Sequence, residues 1–180
     1  LRRARCGLAV AGMSGGVVVL MGLPGSGKSS LLRALPPERQ MPVIDRDAIR
    51  AAMFPRPFDA RSEKDAAISA VWAALAARLK FGQQVVIDGM TFASQRNRDQ
   101  VARIARAQGA EVLEVLLDVP PEVCAARVAA QTGHPSPERT PALVYEVAAR
   151  FAPVSPEALR LDGTQPIATL TQQLTRRLPV

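Results

Sequence analysis

The chain of 180 residues carries 23 Lys and Arg against 16 Asp and Glu, a net charge of +7, and is 48% apolar but only 4% aromatic. That length suits one α/β domain whose core is built from Ala, Val, Leu and Ile. Two cysteines exclude a disulfide framework, no metal-ligand spacing occurs, and no apolar run approaches the roughly 18–20 residues of a membrane-spanning helix. The positive charge favours encounter with polyanions, although a solvated Arg-rich surface gives the same balance. Arg2-Arg3-Ala4-Arg5 followed by the short apolar stretch to Gly12 imitates a signal peptide, but glycines interrupt it. The expectation is a flexible extension over 1–12 and a single cytoplasmic domain over 13–180.

Val17–Met21 is a continuous apolar run ending at glycine, the pattern of a parallel strand covered on both faces. Ser29–Leu35 reads as a helix stopped by Pro36-Pro37. Pro42-Val43-Ile44 forms a short second strand, and a helix follows from Asp45 to Met53 with acidic residues in its first turn. Residues 63–80 form a long Ala-rich helix with Ile68, Val71, Trp72, Leu75 and Leu79 at helical spacing. Gln84–Asp88 is a buried strand ending in a carboxylate, Ser94–Gln108 a helix closed by Gly109, and Val112–Leu117 a strand. A helix over Pro121–Ala130, a loop over 131–139 holding the single histidine His134, and a helix over 141–151 come next. Leu159–Asp162 is the last strand and Ile167–Leu178 the closing helix. Alternating strands and helices predict an α/β, three-layer P-loop fold: a five-stranded parallel sheet with helices on both faces and a short lid. Ligands of such sheets bind beyond the carboxyl ends of the strands, so the loops after 21, 44, 88 and 162 should meet in one cleft.

Gly22-Leu23-Pro24-Gly25-Ser26-Gly27-Lys28-Ser29 has the spacing of a phosphate-binding loop, with Ser30 following in the helix. Its glycines let backbone N–H groups curl around a β-phosphate, Lys28 offers a mobile cation to the β- and γ-phosphates, and the Ser29 hydroxyl can ligate Mg²⁺. Position after a strand and before a helix is the context that confirms the pattern. Asp88, at the end of an apolar strand, has the setting of a carboxylate that holds Mg²⁺ directly or through water; a helix cap or turn ahead of Gly89 is the other reading. Asp47 and Arg50 stand three apart on one helical face. They can serve as a base for a hydroxyl and an anchor for an anion, or as an N-cap carboxylate with an incidental salt bridge.

With these pieces in place the chain resembles the P-loop kinase group that includes polynucleotide 5′-hydroxyl kinases, with zeta-toxin-like and gluconate-kinase-like relatives further off. The resemblance runs from Val17 to Thr164. It rests on G-L-P-G-S-G-K-S at 22–29, I-D-R-D-A-I-R at 44–50, V-V-I-D at 85–88 and D-V-P-P-E-V at 118–123. It implies that Asp47 is the general base for a 5′-hydroxyl and that Arg50 contacts the phosphate on the 3′ side of the accepting nucleoside. It further implies ATP or GTP with Mg²⁺ as cofactors and a DNA or RNA 5′ end as partner. Lid arginines follow the D-V-P segment in that family. Arg127 matches an early one, Gln131 stands where a later one belongs, and Arg139 across the loop is the candidate to replace it. Asp162-Gly163-Thr164 should lie near the nucleotide base, while Asp88, Thr91 and Arg96 complete the acceptor side. The Gly89-Met90-Thr91 loop departs from the two small polar residues that relatives carry there.

Arg96, Arg103 and Arg106 lie within about 80° of one another on a helix of about 100° per residue. With Arg98 they could track a nucleic-acid backbone or simply solvate the helix. Phe54, Phe58 and Phe92 are the aromatic candidates near the cleft, too few for sequence-specific single-strand stacking. A kinase for a sugar acid, nucleoside or antibiotic hydroxyl is the main alternative, and an NTPase without transfer to a substrate is the second.

Overall fold

The computed structural model describes residues 15–56, 60–131 and 139–178. Five parallel strands, β1 (Gly16–Met21), β2 (Val43–Asp45), β3 (Val85–Asp88), β4 (Glu111–Asp118) and β5 (Leu159–Asp162), form one sheet in the order β2-β3-β1-β4-β5. The strand carrying Asp88 thus sits between the Val17 strand and the Val43 strand. Register follows the apolar runs: Val17, Val18 and Val19 pair with Val85, Val86 and Ile87 on one side, and Gly16–Met21 with Glu111–Leu116 on the other.

Because side chains alternate across a strand, the run Val17–Met21 supplies two cores at once. Val18 and Leu20 join Leu31, Leu117, Cys124, Val144 and Leu174 in the core under α1 (Lys28–Arg33), α5 (Pro121–Ala130), α6 (Pro141–Ala149) and α7 (Ile167–Thr175). Val17, Val19 and Met21 join Val71, Leu75, Leu79 and Val101 in the core under α3 (Ala60–Lys80) and α4 (Gln95–Ala107). α2 (Arg46–Met53) lies against α3. This is the three-layer α/β architecture expected.

Local differences have local causes. α3 begins at Ala60, and its buried residues are Glu63, Ala67, Val71, Leu75 and Leu79, a strict four-residue stripe. Trp72 and Ile68 flank that stripe and are only partly buried. α6 stops at Ala149 rather than 151, since Phe151 turns inward and packs against both cores. The last helix ends at Thr175. The segment 1–12, Phe58, His134 and most of the 131–139 lid lie outside the described residues. Among the described residues no helix is long and apolar enough to cross a membrane.

Leu75 is fully buried within the α3 stripe. Leu75→Ala should lower the unfolding free energy by about 2–5 kcal/mol, measured by urea denaturation; a smaller loss would mean that α3 is not integral to the core.

Candidate active site

Three strands end in residues that face one cleft of about 990 Å³ at the carboxyl edge of the sheet. After β1 the chain makes the loop 22–27, in which Gly22, Gly25 and Gly27 all adopt positive φ. Two of these glycines are required by close approach as well. A Cβ on Gly25 would fall 2.5 Å from the Cys124 carbonyl oxygen on α5, and one on Gly22 would fall 2.8 Å from that of Leu117. The loop is therefore pressed against β4 and α5 as backbone. Gly22 also donates its N–H to the Thr91 carbonyl at 3.1 Å, which ties the loop to the segment after β3.

Lys28 lies inside this loop with 9% of its surface exposed. Its Nζ donates to the carbonyls of Gly22 and Leu23, both at 2.9 Å, and to Ser26 Oγ at 3.3 Å. Burial is the main reason that its pKa falls from 10.5 to about 8; Asp88 and Asp47 oppose the shift and Arg139 adds to it. Those three charges therefore reach the same lysine, from β3, α2 and the chain beyond α5. Ser29 and Ser30 line the cleft beside it.

Asp45 ends β2 and caps α2, accepting the backbone N–H groups of Asp47 at 2.8 Å and Ala48 at 3.2 Å. The cap satisfies donors that a helix start leaves unpaired and sets where α2 points Asp47. Asp47 lines the cleft and receives the Arg46 guanidinium through Nε at 3.1 Å. Asp45 and Asp88 pair in register at the ends of β2 and β3, and Asp88 is buried in the cleft wall. Gly89 then turns with φ +74, its missing Cβ leaving room for Asp45 Oδ1, only 2.7 Å from that position.

The structure brings most of the expected site together. Pro24, Gly25, Ser26, Gly27, Lys28, Ser29, Ser30, Asp47, Asp88, Thr91, Arg127, Arg139 and Gly163 all line the cleft, and Gln131 does too. Arg139 has its Nε buried without a hydrogen-bond partner. Burial pulls its pKa down from the ordinary arginine value while the carboxylates of Asp47 and Asp88 favour the cation. Arg127 is differently employed: Nη1 donates to the Ser26 carbonyl at 3.2 Å and Nη2 to that of Gly163 at 3.3 Å. It straps the phosphate loop to the turn after β5. Asp162 and Thr164 stay on the exposed side of that turn, bonded to each other through Asp162 Oδ1 at 2.6 and 3.0 Å.

Other expected residues lie elsewhere. Arg50 does not line the cleft; its Nε and Nη2 donate to Glu63 Oε2 on α3 at 3.1 and 2.9 Å, and Glu63 is 3% exposed. Drawing Arg50 to a ligand would break a buried ion pair, at a cost of about 3–5 kcal/mol. The same-face spacing from Asp47 was correct, but the ion pair outweighs it. Arg96 is exposed on α4 outside the cleft. Arg98 does not share a solvated face with it, since it is buried and donates to the carbonyls of Ala152 and Pro153 at 3.3 and 2.9 Å. Phe92 is buried in the core rather than offered as a stacking platform. Sequence reasoning missed Arg33, Arg46, Lys64 and Arg150, all of which line the cleft.

Phosphate loop, carboxylate-ended strand and cationic rim define a nucleotide-binding P-loop protein of the kinase class. A family profile described as "AAA domain" matches residues 17–153, and the chain belongs to that family. No curated protein sequence matches it. Solved structures share the fold. A gluconokinase from Sinorhizobium meliloti 1021 is 25% identical with TM-score 0.60, covering 89% of each chain. The Mycobacterium tuberculosis APS kinase CysC in complex with AMPPNP and APS is 19% identical with TM-score 0.64, covering 92% of this chain and 98% of that one. A chain of the Pnkp1/Rnl/Hen1 complex is 23% identical with TM-score 0.56, over 71% of this chain and 43% of the other.

Two outcomes test this geometry. Arg50→Ala should cost about 3–5 kcal/mol of stability in a denaturant titration, with Arg50→Met/Glu63→Leu recovering most of it. A loss below about 1 kcal/mol would place Arg50 in solvent. Lys28 is protonated in the free protein below about pH 8. Bound phosphates favour its cation, so triphosphate binding between there and the ordinary lysine value must take up protons. Calorimetry of MgATP binding near pH 9 should give heats that vary with the buffer's ionisation enthalpy, and the variation should vanish in Lys28→Gln and near pH 7. Buffer-independent heats near pH 9 would contradict a depressed lysine.

Proposed function

We propose that the protein transfers the γ-phosphoryl group of ATP or GTP to a hydroxyl of a small acceptor seated against Asp47. The observation that carries this reading is that Asp47 and Lys28 face one cleft from different strand ends. The nucleotide side is formed by the loop 22–27, Lys28, Ser29, Ser30 and the Arg127 strap, with the base toward Gly163. Ser29 and Asp88 offer the hard oxygen donors that Mg²⁺ prefers, and a site of few protein ligands suits an ion that keeps water and phosphate oxygens. Bound there, Mg²⁺ would neutralise charge on the β- and γ-phosphates.

The remaining steps belong to the chain. Lys28 exchanges the carbonyls of Gly22 and Leu23 for phosphate oxygens. Arg139, whose buried Nε lacks a partner, supplies a cation from the direction of Asp47 and Asp88, and takes the role that Gln131 cannot. The acceptor oxygen bonds to the γ-phosphorus as the bond from that phosphorus to the bridging oxygen breaks; its proton passes to Asp47. In a loose transition state the base needs mainly to position the hydroxyl and accept the proton late. Arg46 holds the carboxylate in place.

The small acceptor is preferred because the residues that would favour a polynucleotide are committed elsewhere: Arg50 to Glu63, Arg98 to the 152–153 carbonyls and Phe92 to the core. A 5′-hydroxyl end of DNA or RNA is the second reading. It is favoured by the segment 44–50 and by the fold shared with the Pnkp1/Rnl/Hen1 chain.

Incubation with γ-labelled ATP, Mg²⁺, small alcohols, 5′-hydroxyl oligonucleotides and water separates these readings. Label is expected in a small alcohol; label in oligonucleotide selects the second reading, and label only in free phosphate rejects transfer. Asp47→Asn should abolish transfer with ATP binding intact, and Lys28→Ala should weaken both. Arg139→Ala should lower kcat by about a thousandfold or more with little change in ATP affinity. Transfer at the original rate by Asp47→Asn would rule out the base.

A further inference from the structure

The acceptor half of the cleft carries more positive charge than phosphoryl transfer uses. Lys28, Arg127 and Arg139 serve the nucleotide side. Of the four further cations that line the cleft, Arg33 donates to Ser30 Oγ on α1, and the other three come from separate elements: Arg46 at the start of α2, Lys64 near the start of α3, and Arg150 at the end of α6. Arg46 is paired with Asp47, while Asp45 is the cap of α2 and Glu63 is bonded to Arg50. Arg150 is exposed, and its guanidinium has no hydrogen bond or ion pair among the described residues.

We propose that Arg46, Lys64 and Arg150 form an anion subsite, and that the acceptor is a small alcohol bearing a carboxylate, phosphate or sulfate beside the hydroxyl held at Asp47. The convergence is physical rather than compositional. Burial, and then the charges of Arg46, Arg50 and Arg150, pull the Lys64 pKa below its ordinary value, with Asp47 opposing. Like charges gathered from three elements repel one another, and an anion between them relieves that repulsion. Guanidinium groups suit the task, since their planar donors match carboxylate, phosphate and sulfate oxygens in pairs. The subsite shares a wall with Asp47, so a charged group bound there leaves an adjacent hydroxyl near the base.

The same cluster disfavours other small acceptors. A neutral nucleoside or polyol gains nothing from three cations. An aminoglycoside, itself polycationic, would be repelled. This inference rests on the transfer reading given above, and it replaces Arg50 with residues that the sequence did not single out.

The test pairs a transfer assay with a binding assay. Transfer from MgATP is compared across D-gluconate, D-glycerate and glycerol 3-phosphate, their neutral counterparts D-glucose and glycerol, an aminoglycoside and a 5′-hydroxyl oligonucleotide. Phosphorylation of an anionic alcohol is expected at a kcat/KM at least about a hundredfold above that of its neutral counterpart, equivalent to about 2.7 kcal/mol. In Lys64→Ala and Arg150→Ala the KM for that alcohol should rise about tenfold or more, with the ATP KM changed less than about twofold. Independently, inorganic sulfate is titrated into the MgADP-saturated protein and followed by NMR. Its saturable binding should weaken severalfold in either variant. Preference for a neutral, cationic or oligonucleotide acceptor would overturn the anion subsite and leave phosphoryl transfer standing. Sulfate binding that is absent, or indifferent to both substitutions, would overturn it even if no alcohol in the panel is phosphorylated. Sulfate binding lost in the variants, with label from ATP only in water, would support the subsite and reject the transfer reading.

Discussion

The site depends on one steric constraint, the absence of a side chain at Gly25 where the Cys124 carbonyl of α5 presses on the phosphate loop. A loop kept at backbone thickness can be clamped between β4 and α5 with its peptide groups turned to the cleft. Everything on the nucleotide side takes its position from that clamp. Lys28 folds into the loop because the loop is closed, and Arg127 can bridge Ser26 to Gly163 because α5 lies against it. On the opposite side Gly89 performs a similar service. Its bare α-carbon admits Asp45, whose capping bonds orient α2 and therefore Asp47.

The two halves are linked through the sheet rather than through the helices. Asp45 and Asp88 end adjacent strands in register, and the Gly22 N–H is bonded to the Thr91 carbonyl just past β3. Strands buried on both faces are the least deformable part of an α/β domain. Asp47 and the phosphate loop, mounted on the ends of β2 and β1 with β3 between them, thus hold their separation through the sheet. Transfer reactions that rely on positioning more than on covalent chemistry gain most from such mounting.

The fold was legible because its signals are local and repeated: apolar runs ending at glycine or carboxylate, separated by helical periods. The phosphate loop was legible for the same reason. Arg50 was not, because its partner lies 13 residues away on another helix. Glu63 held a clue, since it occupies the first place in the 63–67–71–75–79 stripe where every other member is apolar, and a buried acid needs a cation. Arg98 also carried a readable signal. It stands at three and seven residues before Val101 and Ala105, the buried face of α4, so its separation from Arg96 followed from the helical period. Lys64 and Arg150 had no such marker. They reach the cleft through the way α2, α3 and α6 assemble, which no single segment encodes.

The contacts of Lys28 set a threshold for what the loop will accept. Its ammonium already has three oxygen acceptors inside the protein, which is as many as it has protons to donate. A ligand must therefore outcompete an internal solvation shell rather than fill an idle charge. One phosphate offers little beyond what the lysine gives up. A chain of phosphates can compensate by engaging the backbone of the loop at the same time, so under the proposed function the lysine would favour a longer phosphate chain over a single phosphate.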